Sequence, residues 1–326
     1  MSSLRAEGLS KAYRGEVAVH ELSFSLPSGQ NLVLLGTSGS GKTTTLRLLN
    51  RLEVPDSGKV WLDEEEAACL PLAGLRRRMG YVIQEAGLFP HRDLFDNVAT
   101  VPRLERWPES RVRTSVEEVM EQVGLPASEY GKRYPDELSG GQRQRIGLAR
   151  AMAAEPPVLL MDEPFGALDP VTRQQLRADF LRLPLLRDKT LVMVTHDVEE
   201  AFLMADQLIL MDGGMVQQQG RPEALLFHPA NNFVHGFLTG MRFRLMSQRV
   251  QLYQLCPFLP STPGMPEATK GKYVELPKTS TLSEALEALS TADGNGLAAE
   301  GQCPAAPMSA WLTAFERHRA KGSVHE

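Results

Sequence analysis

Short unbroken apolar runs alternate with segments whose apolar residues recur every three or four positions. That alternation predicts strands interleaved with helices. Leu32, Val33, Leu34 and Leu35 form one such run and stop at Gly36, as expected of a parallel strand buried on both faces. Residues 4–35 as a whole read as short strands and turns. A helix is predicted to begin within Thr44–Asn50, and residues 79–84 read as another strand. From about Leu94 to Tyr134 the period turns helical, with Val112, Val116, Val119, Met120 and Val123 on one face, which reads as a helical insert. Val158–Met161 and Thr190–Thr195 return to buried strands. Leu208–Met211 and Met215–Gln217, divided by Asp212, Gly213 and Gly214, read as a hairpin. The expected fold class is α/β with a parallel-sheet core.

The pattern loosens after Gly240. Pro257, Pro260, Pro263, Pro266 and Pro277 fall among serines, threonines and glycines, so 241–272 is expected to be a linker and 273–326 a small C-terminal appendage. Within the appendage, Thr281–Leu289 predicts a capped helix with Leu282, Ala285, Leu286 and Leu289 on one face, and Ala305–Arg319 a last short helix. Gly294–Pro307 is poor in β-branched residues and offers little to a strand.

Composition changes this picture little. Hydrophobic residues make up 42% of the chain and charged residues 23%, as in an ordinary globular protein. At 326 residues, one large domain with an appendage is the expected organisation. A formal net charge of −5 speaks against a nucleic-acid partner. The residues from Met1 to Glu7 carry no basic start followed by a long apolar stretch, and no window nears the roughly 18 apolar residues that span a bilayer. The protein is therefore expected to be cytosolic and to reach a membrane only through a partner. Arg76, Arg77 and Arg78 read as a solvated helix face, short of the roughly four charges of a lipid-binding patch. Cys69, Cys256 and Cys303 lack zinc or redox spacing and are expected to be thiols in a reducing compartment.

The chemistry concentrates in a few segments. Gly36, Thr37, Ser38, Gly39, Ser40, Gly41, Lys42 and Thr43 form a glycine-rich loop between strand and helix. Glycines let the backbone wrap an anion with its amides, the following helix adds its positive end, Lys42 brings a point charge to the β- and γ-phosphates, and Thr43 offers a hydroxyl to Mg²⁺. Asp162 and Glu163 end the Val158–Met161 strand. Such a pair either caps the next turn or serves the nucleotide, with Asp162 holding Mg²⁺ through water and Glu163 polarising the attacking water. His196 follows a strand, where a histidine is ordinarily a polar loop residue but can also reach a γ-phosphate. Gln84 ends a strand, and its neutral amide can ligate Mg²⁺ and orient water. Leu138, Ser139, Gly140, Gly141 and Gln142 lead into an amphipathic helix from Arg143 to Met152. This is either a capped loop or a second anion site at a helix N-terminus. A chain with its own phosphate loop needs no second one for itself, so the second site is best explained as serving a partner's nucleotide in a two-fold dimer.

Together these residues resemble the ATP-binding-cassette (ABC) ATPases over about residues 4–240. The resemblance implies a P-loop NTPase nucleotide-binding domain with an N-terminal antiparallel β subdomain and a helical subdomain at about 87–155. It makes Gly36–Thr43 the Walker A loop, with Thr44 among the nucleotide contacts, and Val158–Glu163 the Walker B strand. Gln84 becomes the Q-loop glutamine, Leu138–Gln142 the signature motif, Ala167, Leu168 and Asp169 the D-loop, and His196 the switch histidine. Tyr13 matches the aromatic that stacks on adenine. The implied cofactors are ATP and Mg²⁺. The implied partners are transmembrane permease subunits, a second copy of the chain with ATP at the interface, and, indirectly, an extracytoplasmic substrate-binding protein. The implied place is the cytoplasmic face of the membrane. Gly80–Gln84 with Gly87–His91, and Pro229–Val234, are similar to importers of osmoprotectants such as glycine betaine, choline, carnitine and proline betaine. Tyr273–Leu289 resembles the opening of a cystathionine-β-synthase-like module, with room for one such module and not a pair. The appendage is thus either a shortened regulatory module or a small structural addition.

Overall fold

The computed structural model describes residues 2–84, 86–166, 169, 173, 176, 177, 179, 180, 183–259, 273–291, 296–299 and 306–322. The chain divides into two compact units, one up to Pro222 and one from Glu223.

Among the described residues the first unit holds two sheets. Strands β1 (Leu4–Tyr13), β2 (Glu16–Leu26), β4 (Ser57–Leu62) and β5 (Glu65–Glu66) form an antiparallel sheet in the order β2-β1-β4-β5. The first two strands run 10 and 11 residues, longer than the short strands expected, and they bury alternate side chains such as Leu22, Phe24 and Leu26. The second sheet runs β10-β9-β3-β8-β7-β6. Its strands are β3 (Asn31–Gly36), β6 (Met79–Val82), β7 (Val158–Asp162), β8 (Thr190–Thr195), β9 (Gln207–Asp212) and β10 (Met215–Gly220). Every pairing is parallel except that of the edge strand β10, which returns antiparallel through Gly213 and Gly214, both at positive φ (54° and 79°) as a tight hairpin requires. All of β7 and β8, and all of β3 after Asn31, are buried, which is why these strands read as unbroken apolar runs.

The ladder aligns the strand ends that matter. Leu35 pairs with Thr195, Gly36 with Met211 and Asp162 with Val194. Strand β6 stops at Val82, so Gln84 sits two residues beyond its strand and not at its end as expected. The apolar stripe of the helical region behaves as read: Val112, Val116, Val119, Met120 and Val123 are all buried along and just after the helix Glu109–Gln122.

The second unit departs further from expectation. Residues 241–259 are not a linker. They include the helices Arg242–Ser247 and Leu252–Leu255, whose Leu245, Met246, Leu252 and Leu255 are buried with Val250. The prolines that suggested a linker lie mostly in 260–272, outside the described residues. The unit boundary also falls at residue 222 and not at 240. Beyond, β11 (Tyr273–Leu276) pairs in parallel with β12 (Gly296–Ala299), which pairs antiparallel with β13 (Ala306–Pro307). The helix Leu282–Thr291 connects the first two strands and opens with a capping box: the Glu284 amide donates to Thr281 Oγ1 at 3.2 Å and the Thr281 amide to Glu284 Oε2 at 2.7 Å. Strand β12 forms despite its weak propensity, because Leu297 and Ala299 are buried and its backbone has a partner on each side. Cys69 is a free, exposed thiol, but Cys256 is disulfide-bonded, so the expectation of thiols fails there.

Trp311, on the helix Met308–Gly322, is fully buried, and its indole Nε1 donates to Leu297 O at 3.1 Å. Trp311→Ala is expected to destabilise this unit by about 3–5 kcal/mol. Limited proteolysis should then cut within 273–322 under conditions where the wild-type chain resists.

Candidate nucleotide site

The site sits at the C-terminal ends of β3, β7 and β8, where ligands bind in open parallel sheets. The loop leaving β3 is shaped by its glycines. Gly41, at φ 95°, caps the helix Lys42–Leu49, and a Cβ there would stand 2.0 Å from Ala18 O. At Gly36 a Cβ would meet Met211 O at 2.1 Å, whereas at Gly39, φ 76°, it would meet nothing within 4 Å. Thr37, Ser38 and Gly39 are exposed, Ser40 is buried, and Thr44 is half-buried in the first turn of the helix. Thr37 Oγ1 donates to Asp212 Oδ1 at 2.7 Å, which fastens the loop to the end of β9.

Lys42 is buried and folded into the loop. Its Nζ donates to Gly36 O at 3.0 Å, Thr37 O at 2.7 Å and Ser40 Oγ at 3.2 Å. Burial lowers its pKa, and the charges of Glu163 and Asp162 oppose that shift. Thr43 Oγ1 donates to Asp162 Oδ1 at 2.9 Å. Asp162 is itself buried, which raises its pKa; the Thr43 hydrogen bond works the other way. These oxygens are of the kind Mg²⁺ prefers, and a cation binding there would favour the ionised carboxylate. Among the described residues no group of three or more His, Cys, Asp or Glu is placed to hold a metal alone, and phosphate oxygens and waters are the ligands that would complete a Mg²⁺ shell here.

Glu163 holds the centre of the arrangement. Its φ is 44°, a left-handed backbone that costs a non-glycine residue energy and is held here by its amide donating to Val194 O at 3.0 Å. The carboxylate meets His196 Nδ1 at 3.2 Å and the Gln84 amide Nε2 at 3.5 Å, all through Oε2. Thus Lys42, Thr43, Gln84, Asp162, Glu163 and His196, drawn from four separate segments, converge. Tyr13, the last residue of β1, is 40% exposed, with Lys11 Nζ 5.6 Å from its ring centroid. Ser139 caps the helix Gly140–Met152: its Oγ accepts the Gln142 amide at 3.3 Å, and Gln142 Oε1 accepts the Ser139 amide at 2.9 Å. Among the described residues, no hydrogen bond or ion pair joins Ser139, Gly140, Gly141 or Gln142 to Lys42, Asp162 or Glu163 of the same chain. Asp169 O accepts the Arg173 amide at 2.9 Å, while Ala167 and Leu168 lie outside the described residues.

The sequence profile described as ABC transporter matches residues 19–166. The glycine betaine uptake system ATP-binding protein YehX of Escherichia coli (strain K12) is 50% identical over 243 residues, 74% of this chain and 79% of that protein. The chain belongs to the ABC-transporter ATPases. The glycine betaine/carnitine/choline transport ATP-binding protein OpuCA of Bacillus subtilis (strain 168) is 41% identical, over 87% of this chain and 72% of its own length. Among solved structures, a dimeric ATP-binding cassette in a post-hydrolysis state, bound to ADP and Pi, is similar with a TM-score of 0.59 and 28% identity, covering 67% of this chain and 98% of that one. As an ABC ATPase, the chain binds and hydrolyses ATP in the service of transport, and no helix among its described residues is long and apolar enough to cross a membrane.

Several residues that shape this ABC site went unread in the sequence. Asn97 is fully buried and donates to the carbonyls of Phe89, Arg92 and Asp93 at 3.1, 3.0 and 3.0 Å, fixing the loop beyond Gln84. Arg150 grips the same loop, donating to Ala86 O at 2.6 Å and Gly87 O at 2.7 Å. Neither carries a sequence signal. Glu200 does: it stands three residues after the helix cap Asp197, the spacing of a capping box, yet it accepts the Thr195 hydroxyl instead.

Two outcomes follow from this geometry. Gly41→Ala is expected to weaken ATP binding by at least about tenfold, through its clash with backbone, while Gly39→Ala costs only the roughly 1–2 kcal/mol of left-handed backbone. Titration calorimetry with ATP and urea unfolding separate the two. Burial raises the Glu200 pKa from 4.5 to about 7, against the hydrogen bond from Thr195 and the charge of Arg177. The folded chain therefore holds a proton there that the unfolded chain has released. That contribution is lost as pH rises from about 4.5 to about 7 and does not change above. Glu200→Gln is expected to flatten that slope when urea stability is measured across the same range.

Proposed function

We propose that the chain is the motor subunit of an importer for quaternary-amine osmoprotectants such as glycine betaine and choline. The observation that carries the catalytic part is the Glu163 carboxylate bracketed by Gln84 and His196, beside the Thr43–Asp162 pair. The solute rests on the two relatives, named for glycine betaine uptake and for glycine betaine, carnitine and choline transport.

In this reading ATP stacks its adenine on Tyr13 and lays its phosphates along residues 36–44. Lys42 exchanges its three loop oxygens for the β- and γ-phosphates, and its buried position makes that charge count for more than in water. Thr43, Asp162 and Gln84 are the residues that would hold a Mg²⁺, which would supply positive charge against the phosphates. Glu163 accepts a proton from the water that attacks the γ-phosphorus; the bond to the bridging β–γ oxygen breaks, and ADP carries that oxygen away. His196 steadies the Glu163 carboxylate and reaches the γ-phosphate. Ser139, Gly140, Gly141 and Gln142 of a second copy close on the same nucleotide, with Asp169 at the seam. Closure draws the two helical regions together and moves permease subunits seated near residues 85–100, on the cytoplasmic face of the membrane. An extracytoplasmic binding protein delivers the solute to that permease.

Glu163→Gln is expected to cut ATP turnover by at least about 100-fold while trapping ATP in a dimer, read by phosphate release and size-exclusion chromatography. Turnover at the wild-type rate would remove Glu163 from the role of base. For the solute, cells carrying Lys42→Ala should lose uptake of radiolabelled glycine betaine and choline at low and high external salt. Uptake equal to wild type would refute the osmoprotectant assignment and leave the ATPase assignment standing.

A further inference from the structure

A buried charged cluster lies directly behind His196, and the steps above make no use of it. Thr195 and Asp197 flank the histidine. Thr195 Oγ1 donates to Glu200 Oε2 and accepts the Asp197 amide at 3.0 Å. Asp197 Oδ1 in turn accepts the Glu200 amide at 3.1 Å, capping the helix Val198–Met204. Arg177 is paired with Asp197, and Arg173 Nη1 stands 3.8 Å from the same carboxylate. Arg177 Nε stops 3.6 Å from Glu200 Oε1, and neither of those two buried atoms has a hydrogen-bond partner among the described residues. Arg177 is 8% exposed and Glu200 3%.

Stability does not account for this arrangement. Taking the Arg177 guanidinium and the Asp197 carboxylate out of water costs several kcal/mol per charge, and a well-packed apolar set of similar volume is commonly as stable or more so. The helix already has its cap in Asp197, so Glu200 is not needed to start it. What the cluster does accomplish is a cross-link. Arg173 and Arg177 belong to the segment that leads on from Asp169: the Arg173 amide donates to Asp169 O at 2.9 Å, and its Nη2 reaches Gly166 O at 3.4 Å. Their carboxylate partners belong to the segment that presents His196. Hydrogen bonds and ion pairs therefore fix the backbone on both sides of the histidine against the stretch that carries Asp169.

We propose that Arg177 and Glu200, acting through Thr195 and Asp197, are positioning residues that hold His196 in place relative to Asp169. This rests on the reading that His196 serves the nucleotide at Glu163. Binding of ATP depends on the loop at 36–43, and among the described residues no side-chain hydrogen bond or ion pair joins the cluster to it, so loss of the cluster should slow turnover without weakening ATP binding. Thr195 and Glu200 act as one unit through their shared hydrogen bond, so breaking that bond from both sides costs no more than breaking it from one.

The test is steady-state ATP hydrolysis by the full-length chain with Mg²⁺, comparing Thr195→Val, Glu200→Gln, the double variant and Thr195→Ser. Thr195→Val keeps shape and burial while deleting the hydroxyl, so it reports even if Glu200→Gln folds poorly. Expected are a fall in kcat of about tenfold in each single variant, a KM for ATP within about twofold of wild type, and a double variant no slower than the singles. Thr195→Ser, which restores the hydroxyl, should recover kcat to within about threefold of wild type. Unchanged kcat, a raised KM at unchanged kcat, or additive losses would each overturn the proposal. His196→Ala separates it from the reading beneath: wild-type turnover in that variant defeats the role of His196 itself. Loss of turnover there, with wild-type rates in Thr195→Val and Glu200→Gln, defeats only the positioning role.

Discussion

The parallel register of β3, β7 and β8 is the constraint from which the site follows. Because Leu35 pairs with Thr195 and Asp162 with Val194, three strands end at one level. The phosphate loop, the Asp162–Glu163 pair and His196 therefore leave the sheet side by side, though they are far apart in sequence. A slip of one residue in any of these strands would reverse every side chain across the sheet and part Thr43 from Asp162. Burial on both faces penalises such a slip, since any shift would carry the loop residues that flank the apolar runs into the core.

On that frame the unfavourable features gather in one place. Lys42 and Asp162 are buried with their charged forms penalised, and Glu163 holds a left-handed backbone. Each costs folding free energy, and the first two are relieved by what the proposed chemistry supplies. Phosphate charge favours ionised Lys42, and a cation favours ionised Asp162. The turn at Glu163 brings its carboxylate to Gln84 and His196, where an ordinary strand continuation would alternate it to the other face.

What could be read in the sequence was what local physics writes into adjacent residues. The apolar runs gave β3, β7 and β8 because a doubly covered strand has no polar face to show. The glycines of the phosphate loop were readable because Gly41 needs a left-handed backbone against Ala18, and Gly213 and Gly214 because a two-residue hairpin needs the same. The segment 241–259 was misread because Pro257 and the prolines that follow it were weighted above Leu245, Met246, Leu252 and Leu255, which form a buried set only once the helices are in place. Strand β12, with Gly296, Leu297, Ala298 and Ala299, carries no propensity signal, and tertiary pairing alone makes it a strand. Asn97, Arg150 and Arg177 escaped notice for a related reason. A buried polar residue is defined by its partners, and here several of those partners stand far away in sequence, with Arg150 gripping the carbonyls of Ala86 and Gly87.

The signature segment completes the logic of a divided site. The capping box between Ser139 and Gln142 satisfies the Gln142 amide, whereas the amides of Gly140 and Gly141, at the first two helical positions, have no acceptor within the helix. With no side chain at either position, an anion can approach both amides closely, and the helix dipole favours its charge. The chain's own phosphate loop lies elsewhere, so under the proposed reading the anion belongs to a second copy. A two-fold arrangement then requires that each copy lend its helix end to the other's nucleotide. Two nucleotides joining two copies make closure depend on ATP being intact, and loss of the γ-phosphate removes the group that both the phosphate loop and the opposing helix end would hold. Binding would then close the pair and hydrolysis release it, with the same few amides and side chains setting both directions of the cycle.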